Sequence, residues 1–180
     1  MEILATIKKD HDEMRSLLKT LIASWEAPAK DQAQIIGQIR DEMVPHARAE
    51  ELVVYNSMRQ ADAPTDKVYH GFKEHAEAEG LLVALETMDA MNVEWKPVAE
   101  KFAHALRHHM EEEEQDLFPQ VRAAFAPEEL QAMAGEFERL KPQYRSQSKL
   151  ANTIEFVGNL IPPNVTDAFK GDGTSTKEKT

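Results

Sequence analysis

Residues 45–55 read PHARAEELVVY and residues 108–119 read HHMEEEEQDLFP. In each stretch a histidine and a glutamate stand four apart: His46 with Glu50, and His109 with Glu113. On an α-helix such positions project about 40° from one another with ~6 Å of rise, so one helix can present an imidazole and a carboxylate to the same point. A lone histidine precedes each pair, His11 by 35 residues and His75 by 34, so one half-site is written twice, at offsets of 64 and 63.

The repeat extends beyond these six residues. His11, Glu13, Leu17, Leu18 and Leu21 recur as His75, Glu77, Leu81, Leu82 and Leu85, and Glu50, Glu51 and Tyr55 recur as Glu113, Glu114 and Phe118. Apolar residues at spacings of three and four dominate, and no alternating strand pattern is present. Short breaks fall at Glu26–Lys30, Ala61–Thr65 and near residues 91–96, each followed by a helix start such as Asp31 with Gln34, Asp66, or Pro97 in a first turn. The fold class is therefore all-α. Four helices near 3–25, 31–60, 66–90 and 97–123 are joined by short loops, which implies an antiparallel up-down-up-down four-helix bundle over residues 1–125. An additional C-terminal helix begins at Pro127 within a helical extension expected over 126–170. The last ten residues, 171–180, hold no apolar side chain beyond glycine and are expected to form a flexible tail. Pro45 interrupts the second helix, either as a kink just before His46 or as the end of one helix and the start of another.

Composition narrows the chemistry. The chain has no cysteine, which excludes disulfides, thiolate metal sites and a cysteine nucleophile and leaves histidine and carboxylate as ligands. A net charge of −11 argues against nucleic acid or an anionic membrane as partner, because both require a basic footprint. No stretch approaches the ~20 apolar residues of a membrane span, and the N-terminal residues lack the apolar core of a signal peptide. A cytoplasmic location is expected.

Two His-x-x-x-Glu pairs on facing helices, with one histidine from each remaining helix, supply four imidazoles and two carboxylates. That set suits two cations with two histidines each, bridged by Glu50 and Glu113. A mixed nitrogen and oxygen set inside a helical bundle is the usual setting of a di-iron centre. The Glu-x-x-His motif of ferritin-like sites is absent, as is the His-Glu-x-x-His of zinc proteases.

At these residues the chain resembles the haemerythrin-like (HHE cation-binding) family, whose ordered pattern is met by His11, His46, Glu50, His75, His109 and Glu113 over about residues 5–125. The resemblance implies two iron ions, oxo- or hydroxo-bridged, handling O2, nitric oxide, peroxide or iron itself. Oxygen-carrying members place a further histidine four residues after the third-helix histidine, where this chain has Glu79. Glu79 is accordingly a candidate seventh ligand, and redox chemistry with small oxidants is favoured over reversible oxygen carriage. Activities implied are of peroxidase, catalase-like or NO-consuming type, in stress defence or O2 sensing. The alternative is iron storage, or delivery and repair, with the same ligands acting as a labile depot. A helical interaction module with vestigial histidines is the structural alternative.

Neighbouring residues have competing readings. His104, His108 and Glu112 form a series one register away from His109 and Glu113, and the repeat favours the latter. His70 reads as a surface residue. Glu13 and Glu77 point about 200° away from the ligands on their helices and are expected in solvent, as are Glu111, Glu112 and Glu114 as a charged face. Glu51 and Glu114 have a second reading as groups behind the ligands. Tyr55 reads as core packing, matched by Phe118, or as a hydrogen-bond donor near the centre.

Overall fold

The computed structural model describes residues 1–61, 63–88 and 94–145, and within them every regular element is helical. The helices are α1 (Ile3–Ala23), α2 (Ala29–Glu50), α3 (Asn56–Gln60), α4 (Asp66–Thr87), α5 (Trp95–Glu112), α6 (Phe118–Ala124) and α7 (Pro127–Arg145). Two π-helical turns, Glu51–Tyr55 and Glu113–Leu117, join α2 to α3 and α5 to α6 without a break. The expected second and fourth helices are thus continuous rods, each carrying one wide turn immediately at or after its ligand glutamate. A π turn inserts an extra residue into the helical ladder and is found disproportionately at functional sites.

Packing follows the apolar periodicity. Ile3, Ile7, Met14, Leu18 and Leu21 form the buried stripe of α1. Its C-terminal half shares a cluster with Ile36 and Ile39 near the start of α2, Leu82 and Leu85 near the end of α4, and Trp95, Ala99 and Phe102 near the start of α5. A second cluster holds Ile3 and Ile7 from the other end of α1 with Val53, Val54, Val68, Phe72, Leu117 and Val121. Starts therefore pack on ends, as antiparallel neighbours require, with α1 against α2 and α5, and α4 against α2 and α5. Between the two clusters lies a polar layer built from His11, His46, Glu50, His75, Glu79, His109 and Glu113, all buried.

Pro45 does not end the second helix; α2 runs through it. Proline removes the donor that would bond the carbonyl of Asp41. That carbonyl instead accepts a hydrogen bond from Arg145 Nε on α7 at 3.1 Å, and Arg145 Nη2 reaches Glu42 at 2.6 Å. The C-terminal helix therefore satisfies a group that the proline orphans.

Helix α7 begins as expected at Pro127, with Glu129 accepting from the backbone N–H of Ala126 at 2.7 Å in the manner of a capping box. It lies along α1 and α2 and buries Leu130, Ala134, Phe137 and Tyr144. The rest of the expected extension and the expected tail lie outside the described residues. Among the described residues no helix is long and apolar enough to cross a membrane.

Candidate metal centre

The four long helices each deliver their expected ligand to the polar layer: His11 from α1, His46 and Glu50 from α2, His75 from α4, and His109 from α5, with Glu113 opening the second π turn. Their donor atoms assemble into two groups, His11–His46–Glu113 and Glu50–His75–His109, in each of which all three atoms lie within 4.8 Å of one another. The competing register does not enter: His104 and His108 are exposed. Glu50 Oε2 stands 3.7 Å from His46 Nε2 and 3.5 Å from His75 Nε2. Glu113 Oε2 stands 3.2 Å from His11 Nε2 and 3.9 Å from His109 Nε2. Each carboxylate thus faces one histidine of its own half-site and one of the other, the placement a bridging ligand needs.

Every one of the four imidazoles turns its Nδ1 outward to a carboxylate. His11 pairs with Glu114 at 2.9 Å, His46 with Asp10 at 3.0 Å, His75 with Glu51 at 2.9 Å and His109 with Glu74 at 3.0 Å. Where the carboxylate is ionised it only accepts, so that Nδ1 donates and the Nε2 is turned inward as a potential ligand. These partners repeat as the ligands do. Asp10 and Glu74 directly precede His11 and His75, and each serves the paired histidine of its own half. Glu51 and Glu114 directly follow Glu50 and Glu113, and each serves the lone histidine of the other half.

Electrostatics points the same way. Burial drives Glu50 well above the usual carboxylate range, with the Glu113 charge adding to it. Burial also opposes ionisation of Glu113, but the His11 ring 3.2 Å away and the His109 charge outweigh it and hold that carboxyl low. Without a cation the two glutamates therefore hold a proton between them. Burial brings His46 down to about 4 against the pull of Asp10, and burial with the nearby His109 brings His75 well down, which favours the neutral imidazole that a metal would need at both. His11 moves up, because Glu113 and Glu114 outweigh its burial. Asp10 is held at about 2: burial opposes this, and His46 and Lys141 overcome it.

The inner atoms test the fit to a metal. His11 Nε2, His46 Nε2, both oxygens of Glu50 and Glu113 Oε2 are buried without a hydrogen-bond partner. His75 Nε2 and His109 Nε2 face one another at 3.0 Å. Two nitrogens bound about 2.1 Å from one ion at right angles would stand about 3 Å apart, so this spacing suits a shared cation. Each unmade buried hydrogen bond costs roughly 1–3 kcal/mol, and so many converging on one point are explained by cations that satisfy them together.

Further groups surround the ligands. Tyr55 is fully buried, stacks on the His75 ring at a centroid distance of 5.6 Å, and donates to Glu113 Oε1 at 3.3 Å. Burial, with Glu113 and Glu50 nearby, raises its hydroxyl far above the ordinary value, so it remains a donor. Both readings of Tyr55 hold at once: it packs the core and bonds a ligand. Gly71 makes room for it, because a Cβ there would stand 2.7 Å from Tyr55 Cζ and closer still to the hydroxyl. Phe137 of α7 packs edge-on against His46 with centroids 5.5 Å apart. Lys141 holds both oxygens of Asp10 at 2.9 and 2.7 Å. Glu79 is buried as a ligand would be, yet its carboxylate is engaged by Arg48 and joins neither three-ligand group among the described residues. Glu13, Glu77, His70 and Glu111 are exposed as expected, whereas Glu114 turns in to His11 and Glu112 to Lys67 and His70.

The sequence reading missed Arg48, Asp10, Glu74, Phe137 and Lys141. Asp10 and Glu74 carry a detectable signal, an acidic residue before the lone histidine in both repeats. Arg48 has no counterpart at its repeat position, Glu111, and the α7 residues act across more than 90 positions of sequence.

Residues 2–121 match the model of the hemerythrin HHE cation binding domain. A protein of Nostoc sp. described as a DNA nickase is 28% identical over 149 residues, which cover 82% of this chain and 41% of that protein. The chain thus spans about two fifths of that relative's length. No solved structure matches the chain.

Proposed function

The chain belongs to the hemerythrin HHE cation-binding family, and from that premise we propose a cytoplasmic non-haem di-iron protein that binds and reacts with O2, nitric oxide or peroxide. The observation that carries this reading is the set of inward-facing lone pairs: four Nε2 atoms, each fixed by a carboxylate on Nδ1, around two buried carboxylates with unsatisfied oxygens. His11 and His46 with Glu113 would hold one ion, and His75 and His109 with Glu50 the other, both glutamates bridging. Iron held by these residues would supply the electrons taken up by a small oxidant.

The remaining work falls to the chain. Asp10, Glu51, Glu74 and Glu114 orient the imidazoles and stabilise positive charge on them. Tyr55, itself fully buried, donates its hydroxyl proton to Glu113 Oε1. We assign Glu79 to Arg48 and, through Arg48 and Glu51, to the orientation of His75. A small cavity beside the ligands is lined by Met14, Met43, Ala78, Leu106 and Met110, and its free space of about 10 Å³ accommodates roughly one water-sized molecule. Such a space favours a diatomic or peroxide over a larger substrate. A net charge of −11 opposes approach to DNA, the substrate that the Nostoc relative's description implies.

Anaerobic iron-loaded protein, titrated separately with O2, NO and H2O2 and followed by absorbance, tests the reading. Two irons per chain and a stoichiometric spectral change with at least one oxidant are expected, and His46→Ala or His109→Ala should lose at least one ion. Iron that passes freely to a chelator while all three oxidants leave the spectrum unchanged would favour a labile iron depot instead.

A further inference from the structure

A third group of metal-ligating side chains lies outside the buried centre. His70 on α4 has its Nε2 3.4 Å from Glu74 Oε1 and 3.3 Å from Glu112 Oε2. Those three donor atoms lie within 4.8 Å of one another, in a spacing like that of the inner groups. His108 on α5 faces the same two oxygens, its Nδ1 3.2 Å from Glu74 Oε1 and 3.6 Å from Glu112 Oε2. Each carboxylate is divided between two tasks. Glu74 Oε2 accepts from Nδ1 of the inner ligand His109 while Oε1 faces outward. Glu112 Oε1 pairs with Lys67, which also holds Asp116, while Oε2 faces His70 and His108. A cleft bordered by His70, Glu74 and Glu112 continues inward to His109, Glu113 and Tyr55.

We propose that His70, Glu74 and Glu112, with His108 at their edge, form an outer site for a divalent transition-metal cation, linked to the inner centre by the shared carboxylate of Glu74. Two imidazoles and two carboxylate oxygens are a donor set suited to zinc, cobalt or ferrous iron and poorly matched to magnesium or calcium, which prefer oxygen alone. The side chains are reachable from solvent, with His70 and His108 exposed and Glu74 and Glu112 half-buried. A cation here draws on the same carboxylate that orients His109, so occupancy outside bears on the geometry inside. The proposal goes beyond the inner di-iron reading and does not depend on it, because none of the three principal donors is an inner ligand.

Zinc titration of iron-loaded protein by calorimetry tests the outer site. One zinc ion per chain, additional to the iron, is expected. His70→Ala and Glu112→Gln should each weaken it by about tenfold or more, with the iron content unchanged. His104→Ala should leave it as in wild type. Absence of any zinc binding to wild type would show that the cluster is only a set of ion pairs and would overturn the proposal. So would zinc binding that survives both His70→Ala and Glu112→Gln, or that is lost in His104→Ala, since the ion would then sit on the His104 and His108 pair. These outcomes are read from zinc, and the inner reading stands or falls on iron.

Discussion

Arg48 Nη2 lies 2.8 Å from both carboxylate oxygens of Glu79, with both side chains buried. Arg48 Nη1 stands 3.5 Å from Glu51, the carboxylate that orients His75. One cation therefore compensates two acidic groups that burial drives upward, Glu51 to about 7. Removing one partner of such a network leaves charge buried and unpaired, so Arg48→Met should cost about 3–5 kcal/mol in chemical unfolding. The double variant Arg48→Met with Glu79→Met should recover part of that loss. A double variant no more stable than Arg48→Met alone would show that the pair is not what Arg48 supports.

The metal-free centre should be the weak point of the bundle. Glu50 and Glu113 then face each other without a cation, and metal that binds the folded site adds its binding energy to folding. Apo protein should melt below the iron-loaded form, and Glu50→Gln should narrow that gap by replacing a metal-binding carboxylate with a weaker ligand at constant shape. Metal binding should also release the proton that the glutamate pair holds. Calorimetry in buffers of different ionisation enthalpy should register fewer released protons for Glu50→Gln than for wild type. Equal melting temperatures for apo and loaded wild type would mean that the six residues do not form a buried metal site.

Asp10 joins α1, the ligand His46 on α2, and Lys141 on α7. Its folded value of about 2 lies below the ordinary 3.8, so the unfolded chain takes up the proton first on acidification. The stability it contributes is full above about pH 4 and is lost as the pH falls towards 2. A displacement of that size corresponds to roughly 2 kcal/mol. In metal-free protein Asp10→Asn should lose about that much at neutral pH, and the difference from wild type should shrink on acidification. A difference constant across the acid range would assign the loss to packing.

Gly71 and Tyr55 are fitted to each other. A Cβ at position 71 would run into the Tyr55 hydroxyl and ring, which cannot retreat without giving up the stack on His75 and the bond to Glu113. Gly71→Ala should destabilise the protein by about 1–3 kcal/mol, as overpacking does. Adding Tyr55→Phe removes the atom in closest conflict and should restore part of the stability. If Tyr55→Phe makes Gly71→Ala worse, the clash is not at the hydroxyl.

The six residues that meet in the polar layer were legible because each lies on a helix whose period is local, and because the half-site is written twice at nearly constant offset. Spacing alone placed His46 with Glu50 and His109 with Glu113, and the repeat favoured that register over 104/108/112. The helix ends followed from proline, aspartate and short polar breaks to within a few residues, with Asp31 inside the first turn of α2 rather than at its start and α4 ending at Thr87. What the chain order could not reveal is how the two halves interlock. That Glu50 sits with His75, and Glu113 with His11, depends on the rotation of each helix about its axis, which packing of the two apolar clusters sets. The same is true of Arg48, whose charge reads from sequence as an ordinary surface group until its helix face is known. The π turns displace residues after Glu50 and Glu113 from the regular period, so Tyr55 points inward where a straight helix would not decide it. Helix α7 carries the largest share of what only tertiary structure determines. Its Lys141, Phe137 and Arg145 meet Asp10, His46 and the carbonyl left free by Pro45 from more than 90 residues away, a separation over which no local periodicity carries information.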